Sequence, residues 1–419
     1  NMADIAVIGQ FAGSLSLGAV GSTATLVTMF TGFLIGLSGG INVLTALYYG
    51  AKDKDSLSKT IHSAALVSLI MGVLLLVLGV GLSEWMLTML KTREELLDKA
   101  VLYLRIYYLG MPALAIYNFG NAVYSAVGNT KKPLYYLGFS GVLNIILNLF
   151  FVIVCHMDVA GVALATVISQ AVASYLVIKT LIRARDACRI KPQTLRIDPV
   201  ILKNMLWIGL PAGIQGMFFS ISNITIQSSV NSFGSPAIAG NTATVSLEGF
   251  VYVGSNAFHQ TVVSFAGQNL GGKQYDRIKK SIFCCILCSC AVCVILGYGF
   301  LLDGHDLIAI YNSDPEVVSW GMLRMNILFT TYFLCGIMDV ISGALRGLGH
   351  SVMPAVITLL GVCVLRVFWV WLIFPLQPTM GNLMLSYPIT WGITAIANGI
   401  YLYWAYNKIV GRHRMVKLA

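Results

Sequence analysis

Eleven predominantly apolar runs, each long enough to cross a lipid bilayer as a helix, fill this chain: 20–49, 61–86, 101–127, 133–154, 159–182, 205–230, 238–270, 282–302, 317–345, 354–374 and 383–406. About 20 apolar residues suffice for one crossing. Lipid offers no hydrogen bonds, so each run must satisfy its own backbone, and a helix does that within one segment. The chain is therefore expected to be an all-α integral membrane protein. Only 11% of its 419 residues are charged, against roughly 25% in a soluble domain. That excludes a soluble enzyme, a disordered scaffold and a nucleic-acid binder.

The net charge of +10 reports topology rather than an acidic partner. Of the 27 Lys and Arg, 21 fall in one alternating set of loops: around 52–59, 131–132, 179–203, 273–280, at Arg346, and from Lys408 to Lys417. The other set holds three, Lys91, Arg93 and Lys99, and Arg105, Arg324 and Arg366 lie in or at the edge of apolar runs. By the positive-inside rule the rich set faces the cytoplasm. The acidic loop with Asp303, Asp306, Asp314 and Glu316 then faces outward.

The halves repeat. At a shift of 221, Gly13-Ser14 falls on Gly234-Ser235, Gly50 on Gly271, Lys52 on Lys273, Gly128 on Gly349 and Pro133 on Pro354. With a slip of two, Thr23-Ala24-Thr25 falls on Thr242-Ala243-Thr244. Such self-similarity reads as two six-helix lobes running the same way: an N-terminal lobe at 1–182, a basic linker at 183–203 and a C-terminal lobe at 204–419. Asn1 maps onto Ser222, in the middle of a helix. The expectation is thus a twelve-helix protein with most of its first helix, roughly 20 residues, absent from this chain, and with both native ends cytoplasmic.

An ordered set of motifs carries a family resemblance. It comprises Asn1-Met2-Ala3-Asp4-Ile5-Ala6-Val7-Ile8-Gly9, Gly21, Gly50-Ala51-Lys52, Gly128-Asn129-Thr130-Lys131-Lys132-Pro133, Gly161-Val162-Ala163-Leu164-Ala165-Thr166, Gly209-Leu210-Pro211-Ala212-Gly213-Ile214-Gln215 and Ala344-Leu345-Arg346-Gly347-Leu348-Gly349. Together these resemble the MATE family (multidrug and toxic compound extrusion), in its prokaryotic DinF-like branch. The resemblance implies a twelve-helix, two-lobe antiporter in the cell membrane. It implies a monomer that expels organic cations, drugs or other amphiphilic small molecules by alternating access, in exchange for protons or sodium, protons being the better fit to this chain. No cofactor is implied beyond H⁺ or Na⁺ as coupling ion, and no metal site.

Ionisable groups at membrane depth are costly and mark function by default. Asp4 lies in the apolar stub 1–8 and can bind a proton or a hard cation; a helix end in water is the alternative. Asn144 and Asn148, spaced i, i+4, share one helix face. The resemblance joins these two and Thr166 to Asp4 as a coupling network, although Asn pairs also serve as plain helix glue. Some members carry Asp at the place of Asn148, so proton storage here falls on Asp4.

Three further residues are secondary candidates: Asp339, Glu248 and Arg366. Asp339 matches an acid of a cation site in some members. Their second acid is missing from Gly216-Met217-Phe218-Phe219-Ser220-Ile221-Ser222, so a structural pair of Asp339 with Arg366 is as good a reading. Glu248 and His259 share a face of one helix, with His259 expected to be a packing residue. The cysteines at 284, 285, 288, 290 and 293 include CxxC spacings, but an apolar helix without His makes them small apolar residues rather than a zinc site. Gly32–Gly36 and Gly39-Gly40 offer a face for close helix approach, and Pro112 and Pro211 offer bends. Tyr107, Tyr108, Tyr117 and Phe119 suit interface anchoring better than a cationic substrate.

Three other readings compete. A lipid-linked precursor flippase needs basic residues for pyrophosphate, and only Arg366 offers itself. A channel or receptor needs a filter loop, which is not visible. A membrane enzyme needs a metal cluster or a serine site, and neither appears. No P-loop is present, so ATP does not drive the protein directly.

Overall fold

The computed structural model describes residues 2–90, 92–184 and 187–418. Asn1, Lys91, Arg185 and Ala419, which enter the expectations from sequence, lie outside them. Among the described residues the chain is helical throughout and has no strands. Contacts divide it into unit 1, Asn1–Gly213, and unit 2, Ile214–Ala419, the division falling inside one helix.

Unit 1 begins with α1 (Met2–Phe11), α2 (Gly13–Gly50) and α3 (Lys54–Met89), then α4 (Glu94–Leu109), α5 (Met111–Ala126), α6 (Lys131–Leu149) and α7 (Asp158–Ile182). The first part of α8 (Pro199–Asn231) closes it. Unit 2 continues with α9 (Ser235–Gly271), α10 (Tyr275–Leu302), the short α11 (Gly304–Ala309) and α12 (Pro315–Gly347). A segment in which α13 (Val352–Thr358) and α14 (Leu365–Phe368) alternate with π turns comes next, and α15 (Met380–Leu418) ends the chain.

Among the described residues, eight helices are long and apolar enough to cross a membrane, nine if the bent pair α4 and α5 counts as one span. The two other runs of the sequence form α9 and α15, of 37 and 39 residues, which are long but more polar. Burial explains the difference. In the 131–154 span, one of the more apolar, 17% of the core window is buried, whereas the less apolar α12 is 61% buried. Lipid takes the place of a protein core on the outer helices, and polar groups gather on the inner ones.

The repeat is written into the backbone. All four glycines with positive φ pair at the shift of 221, Gly13 with Gly234 and Gly128 with Gly349, and so do Lys52 and Lys273, both at φ 57°. The lysine positions end helices. The amide of Lys52 donates to Tyr49 O and that of Asp53 to Tyr48 O, while Lys273 donates to Leu270 O and Gln274 to Asn269 O. Such left-handed C-caps satisfy the last carbonyls of a helix. Asp53 then caps the next helix, accepting Ser56 N–H at 3.1 Å, and its bonds to Ser56 hold its carboxyl below the usual range.

One difference between the units has a covalent cause. The span of α4 and α5 bends by 47° at Gly110, with Pro112 in the first turn of α5. Its repeat counterpart α12 runs unbroken, because Phe333 stands where Pro112 maps, so no N–H is lost and no ring clashes. Pro211 leaves α8 continuous.

Within unit 1, the close approach uses Gly36 and Gly40 of α2 against Gly209 and Gly213 of α8. A Cβ on Gly40 would come 2.8 Å from Gly209 N, whereas one on Gly39 would meet nothing within 4 Å. Tyr107, Tyr108 and Phe119 do not anchor an interface: all three are buried, and Tyr108 packs on Phe30 with ring centroids 5.0 Å apart. The basic linker docks on α3. His62 Nε2 accepts from Lys191 N at 3.1 Å, and Ser63 Oγ accepts from Asp198 N at 2.9 Å. Asp198 in turn caps α8 through Val200 N and Ile201 N.

Candidate functional site

The four residues expected to act together do meet. In unit 1, α1 packs against α6, its following π turn, and α7. Asn148 Nδ2 donates to Asp4 Oδ1 at 2.7 Å and to Asn144 Oδ1 at 3.3 Å. Asn144 Nδ2 donates onward to Thr166 Oγ1 at 3.2 Å. The i, i+4 spacing on α6 aligns the two amides, and α7 supplies the hydroxyl. Asp4 is 2% exposed and Asn148 fully buried. Asp4 is the only buried acid among the described residues of unit 1. Asp158 is half-buried and matched by Lys99 at 2.6 Å, and Asp198 is spent on the cap of α8. The remaining described acids of this unit are exposed. Asn148 Oδ1 has no hydrogen-bond partner among the described residues.

The secondary candidates of unit 2 separate into two groups. Glu248 of α9 pairs with Arg324 of α12 at 2.6 Å. Arg324 also donates to Asn241 Oδ1 at 2.7 Å, and Asn241 Nδ2 donates to Gln227 Oε1 at 2.9 Å. The guanidinium of Arg324 lies 5.4 Å from the Tyr387 ring centroid, and that of Arg366 lies 4.0 Å from the same centroid.

Asp339 belongs elsewhere, and its expected pairing with Arg366 does not form. No ion pair joins the two among the described residues, and Asp339 instead shares its helix with Arg346. Arg346 is therefore not a loop residue: it sits in the last turn of α12 and donates to Gln215 Oε1 at 2.6 Å. The helical register explains the correction. Asp339 and Arg346 are seven residues apart on α12, two turns along one face, while Arg366 comes from a different segment. His259 has the packing role expected of it, its Nδ1 2.7 Å from Asp339 O.

Sequence reasoning missed Arg324, Asn241, Tyr387 and Thr390. The repeat held a signal for the last two, since Thr166 shifts onto Tyr387 and Ser169 onto Thr390.

The MatE family model matches residues 1–150 and 211–372, well over half of the chain. The chain belongs to the MATE family. This MATE chain is accordingly a multi-pass transporter of the plasma membrane, and not an enzyme. It is similar to the probable multidrug resistance protein YpnP of Bacillus subtilis strain 168, 28% identical over 359 residues, which cover 86% of this chain and 80% of that one. It is 25% identical over 373 residues to the multidrug export protein MepA of Staphylococcus saprophyticus, covering 88% of this chain and 81% of that one. Among solved structures, the outward-facing conformation of a multidrug resistance MATE transporter of the MOP superfamily aligns with a TM-score of 0.90 at 20% identity, over 98% of this chain and 92% of that one. That likeness establishes the twelve-helix MATE-type fold.

Proposed function

We propose that this transporter is a proton-coupled antiporter that exports organic cations, drugs or other amphiphilic small molecules by alternating access, and that Asp4 is its coupling group. One observation carries the reading: the buried 2.7 Å bond from Asn148 to Asp4, at the head of a chain of neutral partners. An antiporter needs a group whose charge changes during its cycle, and amides and hydroxyls cannot supply that. They can bind the two forms differently. Ionised, Asp4 accepts from Asn148 Nδ2. Protonated, it gains an O–H donor that needs an acceptor, a demand the ionised form does not make. Such differential contacts let protonation shift one conformation against another. Relatives named as multidrug export and resistance proteins support the substrate class. The neutral Asn148 favours H⁺ over Na⁺, because an amide offers a cation less than a second carboxylate does.

The test is ethidium efflux from proteoliposomes with pH and Na⁺ gradients imposed separately. A pH gradient alone should drive it. Asp4→Asn should abolish gradient-driven efflux while ethidium binding persists, and Asn148→Asp should move the pH dependence by adding a coupled titrating group. Efflux by Asp4→Asn at the parent rate, together with its loss in Asp339→Asn, would transfer coupling to unit 2. We also propose that the loops at 52–59, 131–132, 183–203 and 273–280 face the cytoplasm, on the asymmetry of Lys and Arg between alternate loops. Labelling of a cysteine at Lys279, on a cysteine-free background, by an impermeant external reagent would reverse that orientation.

A further inference from the structure

Among the described residues of unit 2, one buried cation has no carboxylate to neutralise it. Two guanidiniums of the unit, Arg324 and Arg366, are buried. Glu248 is bonded to Arg324. Arg366 is left over. It is 2% exposed. Its Nε donates only to the neutral Thr390 Oγ1, at 3.2 Å, and its Nη2 has no partner among the described residues. The groups close enough to act on it electrostatically are Tyr387, Cys335, Cys363 and, more weakly, the already engaged Glu248.

Aromatic rings complete the setting. Tyr387 and Trp391 lie 4.0 and 5.9 Å from the guanidinium, and Tyr332 extends the cluster, 5.3 Å from Trp391. The backbone is unusual at this point too. Arg366 occupies α14, a single α-helical turn between π turns at Leu359–Val364 and Trp369–Ile373, a distortion that recurs at functional sites.

The repeat sharpens the contrast. At the shift of 221, Thr166 becomes Tyr387, Ser169 becomes Thr390, and Asn144 falls beside Arg366. Where unit 1 places an acid among neutral amides, unit 2 places a permanent cation among rings. A guanidinium holds its proton at all working pH values, so it cannot couple protons. An unpaired charge at membrane depth is retained at high cost, and the ligand that relieves it is an anion. The planar fork of Arg fits a carboxylate or phosphate.

We propose that Arg366, with Thr390, Tyr387 and Trp391, forms an anion subsite inside unit 2 that receives the carboxylate or phosphate of an aromatic amphiphile. The transport reading supplies only the reason for such a ligand to arrive; binding is tested without it. The purified protein in phosphatidylcholine nanodiscs is titrated with 2-naphthoate and with its uncharged analogue 2-naphthamide, following tryptophan fluorescence. The carboxylate should bind at least about tenfold more tightly, the weight of one charge-assisted bond. Arg366→Gln should erase that preference, and Arg366→Lys should keep part of it. Equal affinity of the two probes for the unsubstituted protein overturns the proposal whether or not the variants fold. So does a preference that survives Arg366→Gln. Loss of naphthoate binding when phosphatidylglycerol replaces phosphatidylcholine would put a lipid headgroup against Arg366 and also overturn it. A naphthoate preference in protein that moves no ethidium supports the subsite and counts against the transport reading alone.

Discussion

The Glu248–Arg324 pair makes an asymmetric prediction. The two groups meet at 2.6 Å, with side chains 16% and 4% exposed. At an effective dielectric constant of about 20 their attraction is about 6 kcal/mol, and the desolvation of both ions offsets most of it. Removing one partner exposes the part that was being offset. Glu248→Gln leaves Arg324 buried, charged and unable to shed its proton, with Asn241 and the Met384 sulfur as its neutral hydrogen-bond partners. The expected loss is about 3–5 kcal/mol. Arg324→Met leaves a carboxylate that is more exposed and keeps more of its hydration, so the loss should be smaller, about 1–3 kcal/mol. The double variant should lose less than the sum, with a coupling of about 1–3 kcal/mol. Thermal unfolding in detergent, followed by a thiol-reactive dye, suits a protein in which Cys285, Cys293, Cys335 and Cys363 of this unit are free and buried. Midpoint shifts that simply add in the double variant, or a larger shift for Arg324→Met than for Glu248→Gln, would refute the reasoning.

Glycines, caps and one histidine give three other expected outcomes. Gly40→Leu should destabilise unit 1 by about 1–3 kcal/mol or more through overpacking, since even a Cβ there meets Gly209 N at 2.8 Å; Gly39→Ala, with nothing within 4 Å, is the matched control and should not. Lys52→Gly and Lys273→Gly should each raise the unfolding midpoint, because both lysines sit at φ 57°, a conformation that costs a non-glycine residue about 1–2 kcal/mol. His350 lies between α12 and α13, with its Nδ1 3.0 Å from Tyr401 Oη, and burial together with Lys408 lowers its pKa from 6.5. A lowered folded-state value means that protonation favours the unfolded chain, so this contribution is complete above about 6.5 and fades as pH falls below it; the acid limb of a stability profile should flatten in His350→Gln, and an unchanged limb would exclude the residue.

Local chemistry accounts for the legible part of this protein. Apolar runs, loop charge and turn residues each act within one or two helical turns, which is why helix positions and the shift of 221 could be read directly. The unit 1 site was legible for a related reason. Asn144 and Asn148 announce a shared face by spacing alone, and few polar residues compete for the same depth. Unit 2 was harder because α9 and α12 both carry many polar residues, and pairing across helices depends on rotation about each axis. Glu248 had Arg324, Arg346 and Arg366 as possible partners, Asp339 had the same three, and nothing in the linear order ranks them. Arg346 was misplaced for a different reason. Its neighbours Gly347 and Gly349 read as a loop, whereas the helix continues through Gly347 before the left-handed cap at Gly349.

One backbone plan thus carries two opposite electrostatic solutions. The caps at Lys52 and Lys273, and at Gly128 and Gly349, keep the helices of both units in register, so equivalent positions can be compared residue by residue. Among the described residues of unit 1, Asp4 is the one buried acid, and the amide bonded to it is neutral. A carboxylate, unlike a guanidinium, belongs to the class of groups that one proton discharges. In unit 2 the buried charges are mostly guanidiniums, which no accessible pH removes. Glu248 answers Arg324, and Arg366 faces rings. A group that can discharge suits coupling, and a group that cannot suits holding something of opposite sign. The proposed division of tasks, coupling in unit 1 and anion binding in unit 2, thus needs divergence at only a few positions of the repeat.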